Sequence, residues 1–296
     1  KFFNSGECDS YNSGQLVVQN YTSLSEKEYD TSYSYRLIRM YPGVRYSNIV
    51  HEDLPINQPV KLFDLILNHD GYVYLSKEDR ERHEERNVAL LKEELQKDPD
   101  DIKALFQYCA QFLTTDMQKT EQYARHGVEV ALRRDPDDAS NDFLRMENIL
   151  LKVLNNEKKY RDVLVEVPKA LLHAKQPCVF HLEYYYIAQI AAVQLQDYEK
   201  TVEYGKKYLQ MYRLYEAGEM DRSLLMYSDF RFNRPKYAKI AAISNNKALL
   251  ALGKTSEVRD FLNQLDVADE DATENGNFDL CTEYANTVDD WQILAQ

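Results

Sequence analysis

Residues 35–72 read YRLIRMYPGVRYSNIVHEDLPINQPVKLFDLILNHDGY, and around them the chain changes from one kind of sequence to another. Up to this stretch the apolar runs are short and separated by turn residues, which is typical of strands. After it, apolar residues recur every three or four positions, as at Leu91 and Leu95, which is typical of helices. We therefore predict a mainly α protein, with a small α/β segment at residues 1–75 and a helical-hairpin solenoid at residues 76–296.

The strand-forming part contains one predicted hairpin. Tyr33–Tyr41 alternates apolar with polar residues, Pro42-Gly43 follows as a turn, and Arg45–Val50 is predicted to return as the second strand. Gln15–Tyr21 is a further strand candidate, and Leu62–Leu67 is predicted as a short apolar strand or turn. The acidic stretch Glu26–Asp30 is predicted as a loop.

The helical part repeats itself. The turn sequence DPDD at Asp98–Asp101 recurs at Asp135–Asp138, 37 residues later, with two helical patterns between the copies. Paired helices at such a period form stacked hairpins, and the tetratricopeptide repeat has a typical length of about 34 residues. An insertion is predicted at Arg222–Phe232 and a capping helix at Asp279–Leu294. The predicted pairs are Ile102–Leu113 with Thr115–Arg133, Ala139–Asn155 with Lys159–Ala174, Val179–Leu195 with Tyr198–Ala217, and Pro235–Leu252 with Ser256–Leu265.

Composition limits the class of protein. The chain has 49 acidic and 36 basic residues and a net charge of −13, which argues against nucleic acid as a partner, because nucleic-acid binders need a basic surface. The four cysteines are far apart and none lies in a C-x-x-C spacing, so we predict reduced cysteines in a cytoplasmic protein. No apolar run approaches the roughly 20 residues of a membrane span, so no transmembrane segment is predicted. The sequence does not begin with Met, and we expect it to start within a longer protein.

Two histidines and a glutamate lie at the ends of apolar runs. Glu52, with His51 before it, could take a proton from an acceptor hydroxyl, although a histidine beside an acid is also common by chance. His69 is either a hydrogen-bonded structural residue or a metal ligand. Because only Asp70 is beside it, carboxylate ligands for Mn²⁺ or Mg²⁺ would have to come from elsewhere.

Several motifs in a fixed order carry a family resemblance. The chain contains R-L-I-R-x-x-P-G-V-R-Y-x-x-x-V-H-E, then I-L-N-H-x-G-Y, then K-x-x-R and R-N-x-x-L-L-x-x-E-L-x-x-D-P-x-D. Over about residues 15–135 this order resembles bacterial family 2 glycosyltransferases that carry tetratricopeptide-like helices behind the catalytic domain. The resemblance implies that residues 1–75 are the C-terminal part of a catalytic domain of the glycosyltransferase A type. It implies that residues 76–296 are the repeat domain.

The resemblance also assigns roles to residues. Glu52 is placed as the catalytic base of an inverting transfer, His51 on the acceptor side, and His69 facing the metal and the donor diphosphate. Arg36 and Arg39 either face the donor phosphates or pair with local acids. In the family an upstream half with an Asp-x-Asp motif holds the metal, so the implied Mn²⁺ or Mg²⁺ would have most of its ligands outside this chain. The chain alone is then expected to be inactive.

The implied partners are a nucleotide-sugar donor and a protein, peptide or glycan acceptor. A cluster of tyrosines on two neighbouring predicted helices has two interpretations: the core of the repeats, or a concave aromatic surface that grips the acceptor. The alternative to an enzyme is a non-catalytic helical-repeat module for protein–protein interaction, with the strand segment as a structural cap. The clustered tyrosines are Tyr184, Tyr185, Tyr186, Tyr204, Tyr208, Tyr212 and Tyr215.

Overall fold

The structure is a computed structural model that describes residues 2–23, 28–46, 54, 56–71, 73, 76–113, 115–134, 141–174, 177–221, 230–263 and 277–288. The chain divides into two compact units, Lys1–Ala104 and Leu105–Gln296. Most described residues are helical and a small sheet lies near the N-terminus, which confirms the prediction of a mainly α chain.

Within the described residues, the sheet of the first unit consists of β1 (Ser13–Ser23), β2 (Glu28–Ile38) and β3 (Val60–His69). The strand order is β2-β1-β3. The central strand β1 is antiparallel to β2 and parallel to β3. The sheet therefore has β2 and β3 at its edges, and the two predicted strands Gln15–Tyr21 and Leu62–Leu67 are neighbours within it.

The strand pairing differs from the predicted hairpin. β2 pairs with β1 along its length, from Ile38 opposite Ser13 to Glu28 opposite Ser23. Arg45 and Tyr46 belong to no strand, and residues 47–50 lie outside the described residues. The physical reason is length, because β1 offers β2 a longer ladder than a six-residue return strand would.

Two local predictions near this hairpin have different outcomes. The turn at Pro42-Gly43 is confirmed, since the Val44 amide donates to the Tyr41 carbonyl at 3.2 Å and Gly43 has a φ of 91°. The predicted loop at Glu26–Asp30 is wrong for residues 28–30, which begin β2. At these positions the hydrogen bonds with β1 outweigh the low intrinsic preference of acidic residues for strands.

The first unit also contains α1 (Lys77–Lys97). Its N-cap is Ser76, whose hydroxyl accepts a hydrogen bond from the Asp79 amide at 3.1 Å. The helix ends before the first DPDD turn, and α2 (Ile102–Phe112) begins after it. The second copy of that turn lies outside the described residues, so its position relative to the first stays a prediction.

The helices of the second unit form consecutive neighbours. Three-residue connections join α4 to α5, α6 to α7 and α8 to α9, which makes the partners antiparallel. Each helix from α3 to α9 packs on the next, and α4, α6 and α8 also pack on one another in turn. The helices after α2 are α3 (Met117–Arg134), α4 (Asn141–Asn156), α5 (Tyr160–His173), α6 (Val179–Gln194), α7 (Tyr198–Glu216), α8 (Pro235–Ala251), α9 (Thr255–Leu262) and α10 (Asn277–Val288).

The three tight connections share one backbone geometry. Lys158, Gln196 and Gly253 have φ values of 61°, 55° and 73°, in the left-handed region. The residue after each of them donates its amide to a carbonyl of the last helical turn, at 2.8 to 2.9 Å. This closure satisfies carbonyl groups that a helix end leaves unpaired. The same turn recurs from Lys158 to Gln196 at a distance of 38 residues, close to the predicted period.

The longer step between α6 and α8 contains the predicted insertion. Within it, Phe230–Asn233 forms a short 3-10 helix, and residues 222–229 lie outside the described residues. The Tyr208 hydroxyl donates to the Phe232 carbonyl at 2.6 Å. The ring of Phe232 lies 5.0 Å from that of Tyr186 and 5.6 Å from that of Tyr237. Aromatic packing therefore fixes the end of the insertion against α6, α7 and α8.

Candidate functional site

One end of the sheet is shaped by a β-bulge at Arg36. Leu37 lies opposite Gly14 and Tyr35 opposite Gln15, so Arg36 is the extra residue of β2. Its side chain is exposed. A bulge redirects the side chain that it carries, and bulges are common beside binding sites. Arg36 is therefore available to a ligand at this end of the sheet.

Arg39, three residues further on, is held by the N-terminal segment. Its guanidinium donates to the carbonyl of Cys8 at 2.6 Å and to that of Tyr11 at 3.2 Å. The carboxylate of Asp9 lies 3.6 Å away. Of the two interpretations for Arg39, pairing with local groups is the one observed, and any phosphate would have to compete with these contacts.

A pocket of about 280 Å³ lies beside Arg39. Its walls are mainly aromatic and aliphatic, and its polar side chains already have partners within the unit. The side-chain amide of Asn12 donates to the Gln58 backbone carbonyl at 2.5 Å. The Ser13 hydroxyl accepts a hydrogen bond from the backbone amide of Asn57 at 3.1 Å. The pocket therefore presents an apolar surface. Its lining includes Phe2, Phe3, Tyr11, Leu37, Ile38 and Phe63.

Lys61 on β3 lies near three of the aromatic rings that line the pocket. Its ammonium lies 5.6, 5.2 and 5.7 Å from the ring centroids of Phe2, Tyr11 and Phe63. It also forms an ion pair with Glu7 at 2.6 Å, and this hydrogen bond raises the pKa of Lys61. The sequence did not indicate this cluster, because its members come from two segments about 50 residues apart, residues 2–11 and 61–63, and share no spacing.

His69 ends β3 at the opposite end of the sheet. Its Nδ1 atom lies 3.0 Å from Oδ1 of Asn20, the residue opposite it on β1. A side chain on Gly71 would place its Cβ 2.6 Å from Nε2 of His69, so the imidazole lies directly against the glycine. The H-x-G part of the motif thus has a steric reason, because any other residue at position 71 would require the imidazole to move from this position.

The structure does not bring Arg39 and His69 together. Arg39 follows the residue opposite Ser13, whereas His69 lies opposite Asn20, seven residues along β1. At a rise of about 3.3 Å per residue, these ends of the sheet are about 23 Å apart. His51 and Glu52 lie outside the described residues, so their predicted roles stay predictions.

The residues present fit the implied metal only in part. His69 and Asn20 could supply one imidazole nitrogen and one amide oxygen. Mn²⁺ and Mg²⁺ prefer carboxylate and phosphate oxygens. The part of the chain that the structure describes has no group of three or more His, Cys, Asp or Glu side chains arranged to hold a metal ion. Further ligands would have to come from outside these residues.

The tyrosine cluster belongs mainly to the core of the second unit. Tyr184, Tyr186, Tyr204 and Tyr208 are buried, and burial raises the pKa of Tyr186 to about 12. Of the two interpretations, a position in the core rather than on a surface is therefore the one observed for these four residues. The remaining members are partly exposed: Tyr185, Tyr212 and Tyr215.

No protein-family model matches the chain, and no curated protein matches it at a significant level. Among the described helices, none combines the length and the apolar character needed to cross a bilayer.

Proposed function

We propose that this chain belongs to an inverting glycosyltransferase that transfers a sugar from a nucleotide-sugar donor. In this proposal the first unit contains the acceptor-side part of a catalytic domain of the glycosyltransferase A type. The second unit is a tetratricopeptide-like solenoid that binds the acceptor or a protein partner. Glu52 is the catalytic base, His51 lies on the acceptor side, and His69 faces a divalent metal held mainly by an upstream nucleotide-binding half.

The observation that supports this proposal most is the character of β3. The strand is parallel to β1, and Asp64 is the single polar residue in its central stretch Leu62–Leu67, LFDLIL. Such a run is typical of parallel strands that are covered on both faces by helices in α/β domains. Yet Leu62, Leu65 and Ile66 are 56%, 56% and 60% exposed. β3 thus has the composition of an interior strand but lies at an edge, as expected for part of a larger nucleotide-binding sheet.

The sheet also accounts for two motifs of the proposed enzyme. R-L-I-R spans the end of β2, where Arg36 occupies a bulge and is exposed. I-L-N-H-x-G-Y spans the end of β3, where Gly71 makes room for His69. Arg36 lies between the residues opposite Gly14 and Gln15, and His69 lies opposite Asn20, five to six residues along β1. At a rise of about 3.3 Å per residue the two are about 17–20 Å apart along the sheet, so they would act on different parts of the bound substrates.

The test is a polypeptide that extends this chain upstream of Lys1. We expect it to bind a nucleotide sugar in the presence of Mn²⁺ or Mg²⁺ and to transfer the sugar with inversion. Positioned proton transfer contributes roughly 10²–10⁴-fold to rate, so Glu52→Gln should lower turnover by about that factor with donor affinity nearly unchanged. Failure of the extended protein to bind any nucleotide sugar would overturn the proposal.

The second candidate function is a non-catalytic protein-interaction module. The observation that favours it is the side-by-side packing of α4, α6 and α8, which is how repeat arrays form a continuous binding face. A cleft of about 100 Å³ lies between α6 and α8 on this packing surface, lined by Tyr186, Gln189, Val193, Ile240 and Ser244 among others. An extended protein that binds a polypeptide through this face but no nucleotide sugar would favour the module over the enzyme.

A further inference from the structure

A carboxyl group is buried in the second unit, and one of its oxygens has no hydrogen-bond partner among the described residues. Glu147 lies on α4 and is 1% exposed. Among the described residues, nothing donates a hydrogen bond to its Oε1 atom. An ionised carboxylate in such a place is costly, because burial removes most of the water that would solvate its charge.

The cations nearest to Glu147 already have other partners. On α3, Arg125 binds Glu121 at 2.8 Å and lies 3.7 Å from Glu166 of α5. On α5, Lys169 binds Glu166 at 3.1 Å. The network of Glu121, Arg125, Glu166 and Lys169 therefore links α3 to α5 and leaves no cation dedicated to the buried acid.

The group that α6 contributes is Tyr184, which interacts electrostatically with Glu147. Its hydroxyl donates to the Leu144 carbonyl of α4 at 2.9 Å, so its proton is committed elsewhere. Lys152 of α4 also has a partner, because its ammonium lies 3.1 Å from the carboxylate of Glu183 on α6. Every charged or titratable neighbour named for Glu147 is thus occupied by a different contact.

The helix packing beside Glu147 leaves little room for adjustment. A Cβ at Gly127 of α3 would clash with the side chain of Met146, the residue before Glu147. α3 and α4 are therefore in close contact at this position. Burial raises the pKa of Glu147 to about 8, and Glu166 adds to the shift, while Lys169 and Arg125 act in the opposite direction.

We propose that the junction of α3, α4 and α5 is a proton-dependent contact, in which Glu147 keeps its proton while the helices are packed and releases it to solvent when they separate. The helical array then holds together most firmly in mildly acidic solution and loosens as the pH rises through the neutral range. This inference is independent of any sugar-transfer activity.

The direction of the pH dependence follows from linkage. In the unfolded chain Glu147 titrates near its ordinary value of about 4.5, whereas in the folded unit it does so near 8. Between these values the folded state holds a proton that the unfolded state has lost. The contribution of Glu147 to stability is therefore complete below pH 4.5 and is lost as the pH rises to about 8.

The test compares wild-type protein with Glu147→Gln, which has the same shape but no proton to lose. Urea unfolding is followed by far-ultraviolet circular dichroism between pH 5 and 8.5. We expect the unfolding constant of the wild type, relative to the variant, to rise by up to about tenfold per pH unit in this range. Parallel pH profiles for the two proteins would overturn the proposal.

Glu121→Gln is the matched control from the same network. Burial opposes ionisation of Glu121, but its hydrogen bonds with Lys159 and Arg125 outweigh burial and lower its pKa. The contribution of Glu121 to stability is therefore lost only in more acidic solution. Between pH 5 and 8.5, the unfolding constant of Glu121→Gln should change with pH as steeply as that of the wild type.

A second readout applies if Glu147→Gln does not fold. The methyl group of Met146, labelled with ¹³C and assigned by Met146→Leu, reports on the neighbouring carboxyl group in the wild type. We expect its resonance to shift with a midpoint near pH 8. A Met146 resonance that stays constant from pH 5 to 9 would contradict the proposal.

Discussion

The edge strand β3 of the sheet exposes apolar side chains, whereas the helical array buries most of those that it carries. β3 leaves Leu62, Leu65 and Ile66 more than half exposed. By contrast, α6 buries most of its residues, and it lies among α4, α5, α7 and α8. A helix that is apolar on all sides needs neighbours on all sides, and α6 has them. The described part of the sheet provides β3 with β1 as its only strand partner.

This difference shows how far contacts within each unit cover its apolar side chains. In the array, each helix covers the apolar stripe of the next, so stability comes from contacts within the unit. In the described part of the sheet, β3 has the composition of a covered strand, yet its outer edge is unpaired and several of its apolar side chains are exposed. The described contacts therefore account for the apolar residues of the array but not for those of β3.

The largest expected effect separates buried from exposed aliphatic residues. Leu154 of α4 is fully buried, so Leu154→Ala should lower the free energy of unfolding by about 2–5 kcal/mol. Ile66→Ala on β3 should change it by less than about 0.5 kcal/mol, because the side chain is already in water. Urea unfolding, followed by amide NMR signals from each unit, measures both effects. A cost of several kcal/mol for Ile66→Ala would show that β3 is covered after all.

A smaller effect is expected from one hydroxyl group of the array. Tyr208 is buried and donates to the Phe232 carbonyl at 2.6 Å, so Tyr208→Phe leaves that carbonyl without its donor. The expected loss is about 1–3 kcal/mol in the free energy of unfolding, measured by urea titration. Tyr185→Phe, at a partly exposed position, is the control and should have almost no effect. Equal losses for the two variants would contradict this account of the insertion.

Sequence periodicity predicted the array better than the sheet. The predicted helices Val179–Leu195 and Pro235–Leu252 differ from the observed α6 and α8 by one residue at the C-terminal end. Helical patterns are local, since the residues of one stripe lie three or four positions apart. Aromatic content, in contrast, did not reveal whether the tyrosines were core or surface, because burial depends on neighbouring helices.

Strand partners depend on distant segments. Of the strand and the turn that were predicted for Leu62–Leu67, the strand is observed, but nothing in its sequence specified β1 as its parallel neighbour. The contacts of Arg39 were equally hidden, because two of its partners are backbone carbonyls, which every residue has. Glu147 was missed for a related reason: its helical pattern does not reveal that α3, α5 and α6 surround it.

The most direct test of the difference between the units is amide hydrogen exchange, read residue by residue. For this chain alone, we expect the β3 amides that face the free edge to exchange rapidly, and those of α4 and α6 to exchange only through unfolding of the array. In a polypeptide extended upstream of Lys1, the same β3 amides should become protected while those of α4 and α6 stay unchanged. β3 amides that are as slow as those of α6 in the chain alone would contradict the account.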